Sequence, residues 1–295
     1  MLIVYHHNDM DGFGSAALLR QTFAEEDVRL VCCDYSVPLN NALAEIHPTD
    51  SIYIVDYSFS ESTVDELFDL ISIVGEQRIT WIDHHLSSVK IVNSFPKLKR
   101  LQGVLDLRYS GMALTWMFLN KLPICATSYD RCPLAVRFVS DYDTWTKSLP
   151  ESDYFRMGMD ALDLSVDSNI WKRILLDEDY VQSLIENGKT INGYLRNYYA
   201  HKLNRYGFVT RFAGYECLAI NQKDNSDIFG DNRQRYPLCV IFQTNGKRWF
   251  YTVYSSDPEI DCSLIAAEFG GGGHKGAAGF STDQLLNAFK CECNE

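Results

Sequence analysis

Short apolar runs that end in polar clusters recur along the first half of the chain. Residues 2–6 form one such run, and residues 12–24 follow with apolar positions at helical spacing. Residues 29–33 are rich in β-prone side chains. Residues 51–55 read as a strand running straight into Asp56, and Ile79 to Ile82 as another running into Asp83, His84 and His85. Ser60, with Thr63 as second candidate, would cap a helix over 61–73. This alternation predicts an α/β unit with a mostly parallel sheet flanked by helices.

Further along, residues 110–120 and 131–140 read as helices, with a break at Pro123 and over 123–130. Asp141 and Asp143 follow the second of them. After Pro150 the pattern turns helical and polar, over 160–176 and 178–205, as in a connecting region. From Gly207 the period changes to strands at 208–213, 215–221, 237–243 and 248–254, with a helix at 263–269. The expected organisation is a catalytic metal-binding domain at 1–155, a helical connector at 156–206 and a smaller α/β substrate domain at 207–295. A cleft is expected between the outer two.

The polar clusters share one position. Asp9 and Asp11, Asp56, and Asp83 to His85 each follow an apolar strand. In an open parallel sheet, ligands bind beyond the carboxyl ends of the strands, so segments distant in sequence converge there. In an extended stretch residues i, i+2 and i+4 point the same way, which puts His7, Asp9 and Asp11 on one side. A register slip by one would substitute His6 for His7. Gly12 and Gly14 permit a tight turn and close approach of the following helix. Adjacent His84 and His85 face opposite ways and need not share a role, and Asp83 can orient one of them through a ring nitrogen.

Asp141 adds a fourth region, giving the set His7, Asp9, Asp11, Asp56, His84 and Asp141. Histidine with carboxylates suits a borderline or hard divalent ion such as manganese. Shared carboxylates can hold two ions about 3.5–4 Å apart, activating water for in-line attack on phosphorus. Without metal, such a cluster repels itself and some carboxyl pKa values rise.

Near the end, Gly270 to Gly273 precede His274, Lys275 and Gly276, and Ala277-Ala278-Gly279 come next. Glycines can present consecutive backbone N–H groups to an anion, and His274 and Lys275 can add charged contacts. Gly271, Gly272, Gly273, His274, Lys275 and Arg248 are therefore the substrate-binding candidates. The run also suits a simple helix terminator.

Charge and composition narrow the class. A net charge of −12 argues against a long duplex DNA footprint, which needs many neutralising cations, but not against a small phosphorylated ligand. No run reaches the roughly 18 apolar residues of a membrane span, and the first residues read as a strand and not a signal peptide, so a cytoplasmic protein without membrane association is expected. The nine cysteines are an odd number and cannot all pair. Cys32 with Cys33, and Cys291 with Cys293, lack zinc-site spacing. An exposed apolar face on a first-domain helix would allow a homodimer. Tyr109, Trp116, Trp145 and Tyr254 are available to stack bases, though each also suits a core or surface aromatic.

Together these motifs resemble the DHH phosphoesterase family. His7-Asn8-Asp9-Met10-Asp11-Gly12 looks like its first motif, Asp56 its second, Asp83-His84-His85 its third and Asp141, favoured over Asp143, its fourth. Gly271-Gly272-Gly273-His274 with Ala277-Ala278-Gly279 is similar to the signature of the associated DHHA1-type C-terminal domain. The resemblance implies two manganese ions, His84 and not His85 as the direct ligand, and His85 near the scissile phosphate, with Asp83, His84 and His85 as the catalytic group. Tyr254 stands where the family often has an arginine. The Asp141 to Trp145 stretch looks most like the small oligoribonuclease branch, which implies degradation of very short RNA from the 3′ end to mononucleotides. Relatives that dephosphorylate 3′-phosphoadenosine 5′-phosphate or cleave cyclic and linear dinucleotides use the same centre and form the alternative. A non-catalytic binding protein would show an eroded ligand cluster, and none is eroded. The glycine signature argues against the pyrophosphatase-like branch.

Overall fold

A computed structural model describes residues 1–35, 43, 45–166, 168–223 and 226–290, so Cys291 and Cys293 lie outside the described residues. The chain divides into two compact units, Met1–Ile191 and Asn192–Glu295. Among the described residues no helix is long and apolar enough to cross a membrane.

The first unit is built on five strands, β1 (Leu2–His7), β2 (Val28–Cys33), β3 (Ser51–Val55), β4 (Ile79–Asp83) and β5 (Gln102–Leu105). They pair in the order β2-β1-β3-β4-β5, and every pairing is parallel. Alternate residues serve opposite faces, as a pleated strand requires. Leu2 and Val4 of β1 join one buried cluster, and Ile3 and Tyr5 join the other. Helix α1 (Met10–Thr22) covers the first face. Helix α2 (Val64–Val74) puts Val64, Leu67, Leu70 and Val74 on the second, where α3 (Leu86–Ser94) adds Ile91. Helix α2 begins after Thr63, whose side chain caps nothing, while the Ser60 N–H donates to the Thr63 hydroxyl at 2.9 Å. Strand β5, which the apolar pattern does not announce, is a four-residue edge strand whose first two residues are exposed.

Helices α4 (Gly111–Leu119), α5 (Ala126–Tyr129) and α6 (Leu134–Asp143) follow. Residues 160–176 are not one helix. Helix α7 (Ser152–Asp160) ends first, and α8 (Asn169–Leu176) starts afresh with Ser168 as its cap. Phe155 and Met159 of α7, Trp171 and Ile174 of α8, and Val181 and Leu184 of the long helix α9 (Glu178–Tyr206) are buried in the same cluster as α1. The helical connector thus begins as part of the first core. Each such side chain contributes roughly 1.5–3 kcal/mol of hydrophobic stabilisation.

The second unit holds a six-stranded mixed sheet. Its strands are β6 (Phe208–Phe212), β7 (Tyr215–Asn221), β8 (Leu238–Thr244), β9 (Trp249–Tyr254), β10 (Gly272–His274) and β11 (Ala277–Thr282), in the order β10-β11-β9-β8-β7-β6. Only β7 and β8 pair in parallel among these. Helix α10 (Cys262–Ala267) buries Ile265 and Ala266 against one face, beside Val240, Tyr251 and Val253. Leu203, Ile228 and Phe229 pack with Ile220 and Ile241 on the other.

Candidate metal centre

Strands β1, β3 and β4 are neighbours in the middle of the first sheet, and their carboxyl ends carry His7, Asp56 and Asp83. The order of strands reverses between β1 and β3, the place where such sheets open a binding crevice. Asp9 caps α1, its Oδ1 accepting the Gly12 N–H at 2.9 Å and its Oδ2 lying 2.7 Å from His7 Nδ1. A Cβ on Gly12 would fall on the His7 carbonyl, so only glycine allows α1 to start this close to β1.

Asp11 sits in the first turn of α1 and is buried. Its carboxylate accepts the N–H groups of Gly111 at 2.6 Å and Met112 at 2.9 Å, at the amino end of α4. That end carries partial positive charge, which favours the anion. Asp56 is fully buried with φ of 52°, a conformation non-glycine residues seldom adopt, and its N–H donates to the Ile82 carbonyl at 2.9 Å. His84 Nε2 lies 3.1 Å from Asp56 Oδ1, 3.1 Å from Asp143 Oδ2 and 3.7 Å from Asp11 Oδ2. His85 Nδ1 is 2.8 Å from Asp83 Oδ1, and the other oxygen of the buried Asp83 takes the Ser88 hydroxyl.

Three groups result, each with ligand atoms within 4.8 Å of one another: Asp56, Asp83, His84 and His85; His7, Asp9 and Asp56; Asp11, His84 and Asp143. Asp56 Oδ2 is buried and has no hydrogen-bond partner among the described residues. Burial, and then the charges of Asp11, Asp9, Asp83 and Asp143, push the Asp56 carboxyl well above its ordinary pKa. Burial and the Asp11 and Asp9 charges push Asp143 up to about 8. A site that crowds anions and orphans an oxygen fits divalent cations, and imidazole with carboxylate is the donor set of borderline and hard ions.

The structure thus brings together His7, Asp9, Asp11, Asp56 and His84, with Asp83 and His85 beside them. His6 faces away, buried, with its ring against Phe13 at 5.2 Å. Asp141 does not join the cluster; Asp143 does. Both lie in the last turn of α6 and not after it. Asp141 Oδ1 instead accepts the Ser148 N–H and hydroxyl, both at 2.7 Å, and the Leu149 N–H at 3.2 Å. Burial alone would raise its carboxyl, but the Ser152 and Ser148 hydroxyls and those amides outweigh it and hold it low. Successive helical residues turn by about 100°, so two residues apart cannot face one point. Ser88 and Gly111 also belong to the site, and the apolar pattern gave no sign of Ser88. Gly111 did have one: a Ser-Gly pair opening an apolar helix.

In the second unit, the glycines are not an open loop. The Gly270 N–H bonds to the Ala267 carbonyl and the Gly271 N–H to the Ala266 carbonyl, so these two are not free for an anion. Gly272, Gly273 and His274 form β10, paired with Gly279, Ala278 and Ala277. As the edge strand, β10 leaves one row of backbone groups without a partner strand among the described residues. His274 and Lys275 are exposed at its end. Arg248 is elsewhere: it pairs with Asp283 at 3.1 Å, next to the Trp249–Thr282 end of the β9–β11 ladder, whereas Ala277 is opposite Tyr254 at the other end. At about 3.3 Å per residue the two ends are some 16 Å apart, so Arg248 does not join the glycine segment.

No family model matches the chain. An oligoribonuclease of Bacillus subtilis (strain 168), NrnB, is 23% identical over 319 residues, covering 99% of this chain and 76% of the relative. An uncharacterized protein of Acanthamoeba polyphaga mimivirus, R106, is 22% identical over 300 residues, covering 95% and 67%. Among solved structures, the pGpG-specific phosphodiesterase PggH of Vibrio cholerae superposes with a TM-score of 0.52 at 13% identity, covering 96% of this chain and 93% of that one. The architecture, a helix-flanked parallel sheet, a helical connector and a smaller mixed-sheet unit, matches the DHH/DHHA1 architecture. The side-chain set, imidazoles among clustered carboxylates, is a donor set for divalent cations.

Proposed function

We propose that the protein hydrolyses the phosphodiester of linear dinucleotides to mononucleotides. The observation that carries the hydrolytic reading is the convergence of His7, Asp9 and Asp56 with Asp11, His84 and Asp143, with one buried Asp56 oxygen lacking a hydrogen-bond partner among the described residues. The choice of substrate is supported by the likeness to a pGpG-specific phosphodiesterase. The likeness to an oligoribonuclease favours a second reading, in which RNA of a few nucleotides is trimmed from the 3′ end.

His7, Asp9 and Asp56, and Asp11, His84 and Asp143, would hold two divalent ions, manganese being the best match to these donors. Bound there, the ions would lower the pKa of water and stabilise charge on the phosphoryl oxygens. The chain's own residues do the rest. Asp83, anchored by Ser88, holds His85 by Nδ1 and leaves Nε2 toward substrate. Burial opposes the charge of His85, but the hydrogen bond and charge of Asp83 and the charges of Asp143 and Asp11 prevail and raise its pKa. A protonated His85 can bind a phosphoryl oxygen and give its proton to the leaving ribose oxygen as the new O–P bond forms and the old one breaks. His274 and Lys275 are the proposed phosphate contacts of the second unit.

The test is a panel of substrates with purified protein and manganese: linear dinucleotides, RNA of three to five nucleotides, 24-mer RNA, cyclic dinucleotides and 3′-phosphoadenosine 5′-phosphate. Linear dinucleotides are expected to turn over fastest. Preferential turnover of 3-to-5-mers would favour the second reading, and turnover of the bisphosphate nucleotide alone would sink both.

A further inference from the structure

We propose that the turn after α6 is a rigid platform on which a nucleobase stacks, with Trp145 as the contact. This rests on the reading of the site as one for nucleotides. Immediately after Asp143, Trp145 has φ of 58° and Lys147 φ of 51°, both in the left-handed region that glycine favours. Two such residues in one turn persist only where the surroundings over-determine them, and such strain clusters at functional sites.

The over-determination is visible. The Asp141 carbonyl accepts the N–H groups of Thr146 at 3.1 Å and Lys147 at 3.3 Å. Its carboxylate takes the Ser148 and Leu149 groups described above. The Thr144 hydroxyl donates to the Ser140 carbonyl at 2.7 Å. Lys147 Nζ, held 2.5 Å from Asp153, lies 3.7 Å from the Tyr142 ring centroid and 4.5 Å from that of Trp145. Tyr142 meets the indole edge-on at 6.0 Å.

Yet Trp145, carried on this fixed backbone, is 71% exposed. A large apolar side chain that a pinned turn holds open to water is better explained by a planar ligand than by packing. Its place selects the ligand. Residues two apart have Cα atoms at most about 7 Å apart, so Trp145 is one nucleotide's reach from Asp143 and the phosphoryl site. Indole stacks any base, which gives affinity without sequence preference.

The probe is 2-aminopurine riboside 5′-monophosphate, titrated with manganese-loaded protein and followed by its fluorescence. Wild type and Trp145→Phe are expected to quench it. Trp145→Leu should weaken binding roughly 5- to 150-fold, as base stacking on an aromatic implies. Trp145→Gly is the control for the backbone, since glycine adopts the same conformation without strain. Its loss should match that of Trp145→Leu, with manganese affinity unchanged in both. On linear dinucleotides the loss should fall on KM and leave kcat within about twofold. Equal binding by wild type and Trp145→Leu, equal loss in Trp145→Phe and Trp145→Leu, or no quenching by wild type would each overturn the platform. Binding without hydrolysis would leave the platform standing and sink the hydrolase reading.

Discussion

Asp11 and Gly111 are held against each other at the metal cluster. The carboxylate of Asp11 accepts the Gly111 N–H at 2.6 Å, and a Cβ on residue 111 would stand 3.0 Å from that same oxygen and 2.6 Å from Asp56 Cβ. One glycine thus sets the approach of two candidate ligands from different elements, α1 and the end of β3.

Gly111→Ala must therefore displace Asp11, Asp56 or the start of α4. Overpacking of this kind costs about 1–3 kcal/mol. We expect manganese affinity, measured by calorimetric titration, to fall at least tenfold. An alanine variant that binds manganese as wild type does would show that the close approach is immaterial to the site.

Asp56→Asn removes the most crowded charge. Turnover should be abolished. The metal-free variant should melt no lower than wild type near pH 7, because the native Asp56 carboxylate is disfavoured by burial and by four like charges. A scan with and without manganese separates the two effects: wild type should gain melting temperature on adding metal, and the variant little. Near-normal activity would remove Asp56 from the centre.

Asp141→Asn and Asp143→Asn should part company. Asp143→Asn should lose manganese affinity and keep its fold. Asp141→Asn should lose about 1–3 kcal/mol of stability, because it weakens the acceptor that gathers Ser148 and Leu149. Its manganese affinity should stay within a few-fold of wild type. The opposite pattern would return Asp141 to the ligand set.

The pH dependence has a definite sign. Asp56 and Asp143 have folded pKa values above their unfolded ones, Asp143 at about 8. Between the ordinary carboxylate range and that value the folded state binds more protons than the unfolded, so stability of the metal-free protein falls as pH rises. His85, also raised, acts in the same direction. Metal requires the deprotonated carboxylates, so its binding should release protons, less so above pH 8. Calorimetry in buffers of different ionisation enthalpy would read this. Proton uptake on binding would contradict it.

The strand-end clusters were legible in the sequence because their chemistry is local: an apolar run stops and ligands follow at once. His7 to Gly12, Asp56 and Asp83 to His85 are all of this kind. Asp143 was harder, since the choice between it and Asp141 depends on whether the helix has ended, and helix ends are weakly marked. With α6 continuing to Asp143, the residue at the final position faces the cluster and the one before it in the pair faces the loop. The glycine segment misled in another way. Its composition permits a free anion-binding loop, but a Cβ on Gly271 or Gly273 would collide with β11, so these glycines also serve strand packing that only tertiary structure reveals. Four-residue β5 offered too little pattern to detect.

Ser88, Asp83 and His85 form a chain with one open end. The hydroxyl occupies one carboxylate oxygen and the imidazole Nδ1 the other, which in the proposed reaction leaves the exchange to Nε2. In the proposed reaction His85 is thus a single-seat carrier. Having delivered a proton it holds none to spare, and the next turnover waits on a refill from solvent. Slower turnover in deuterated water, with a linear dependence on deuterium fraction, is the kinetic trace that such one-at-a-time traffic would leave.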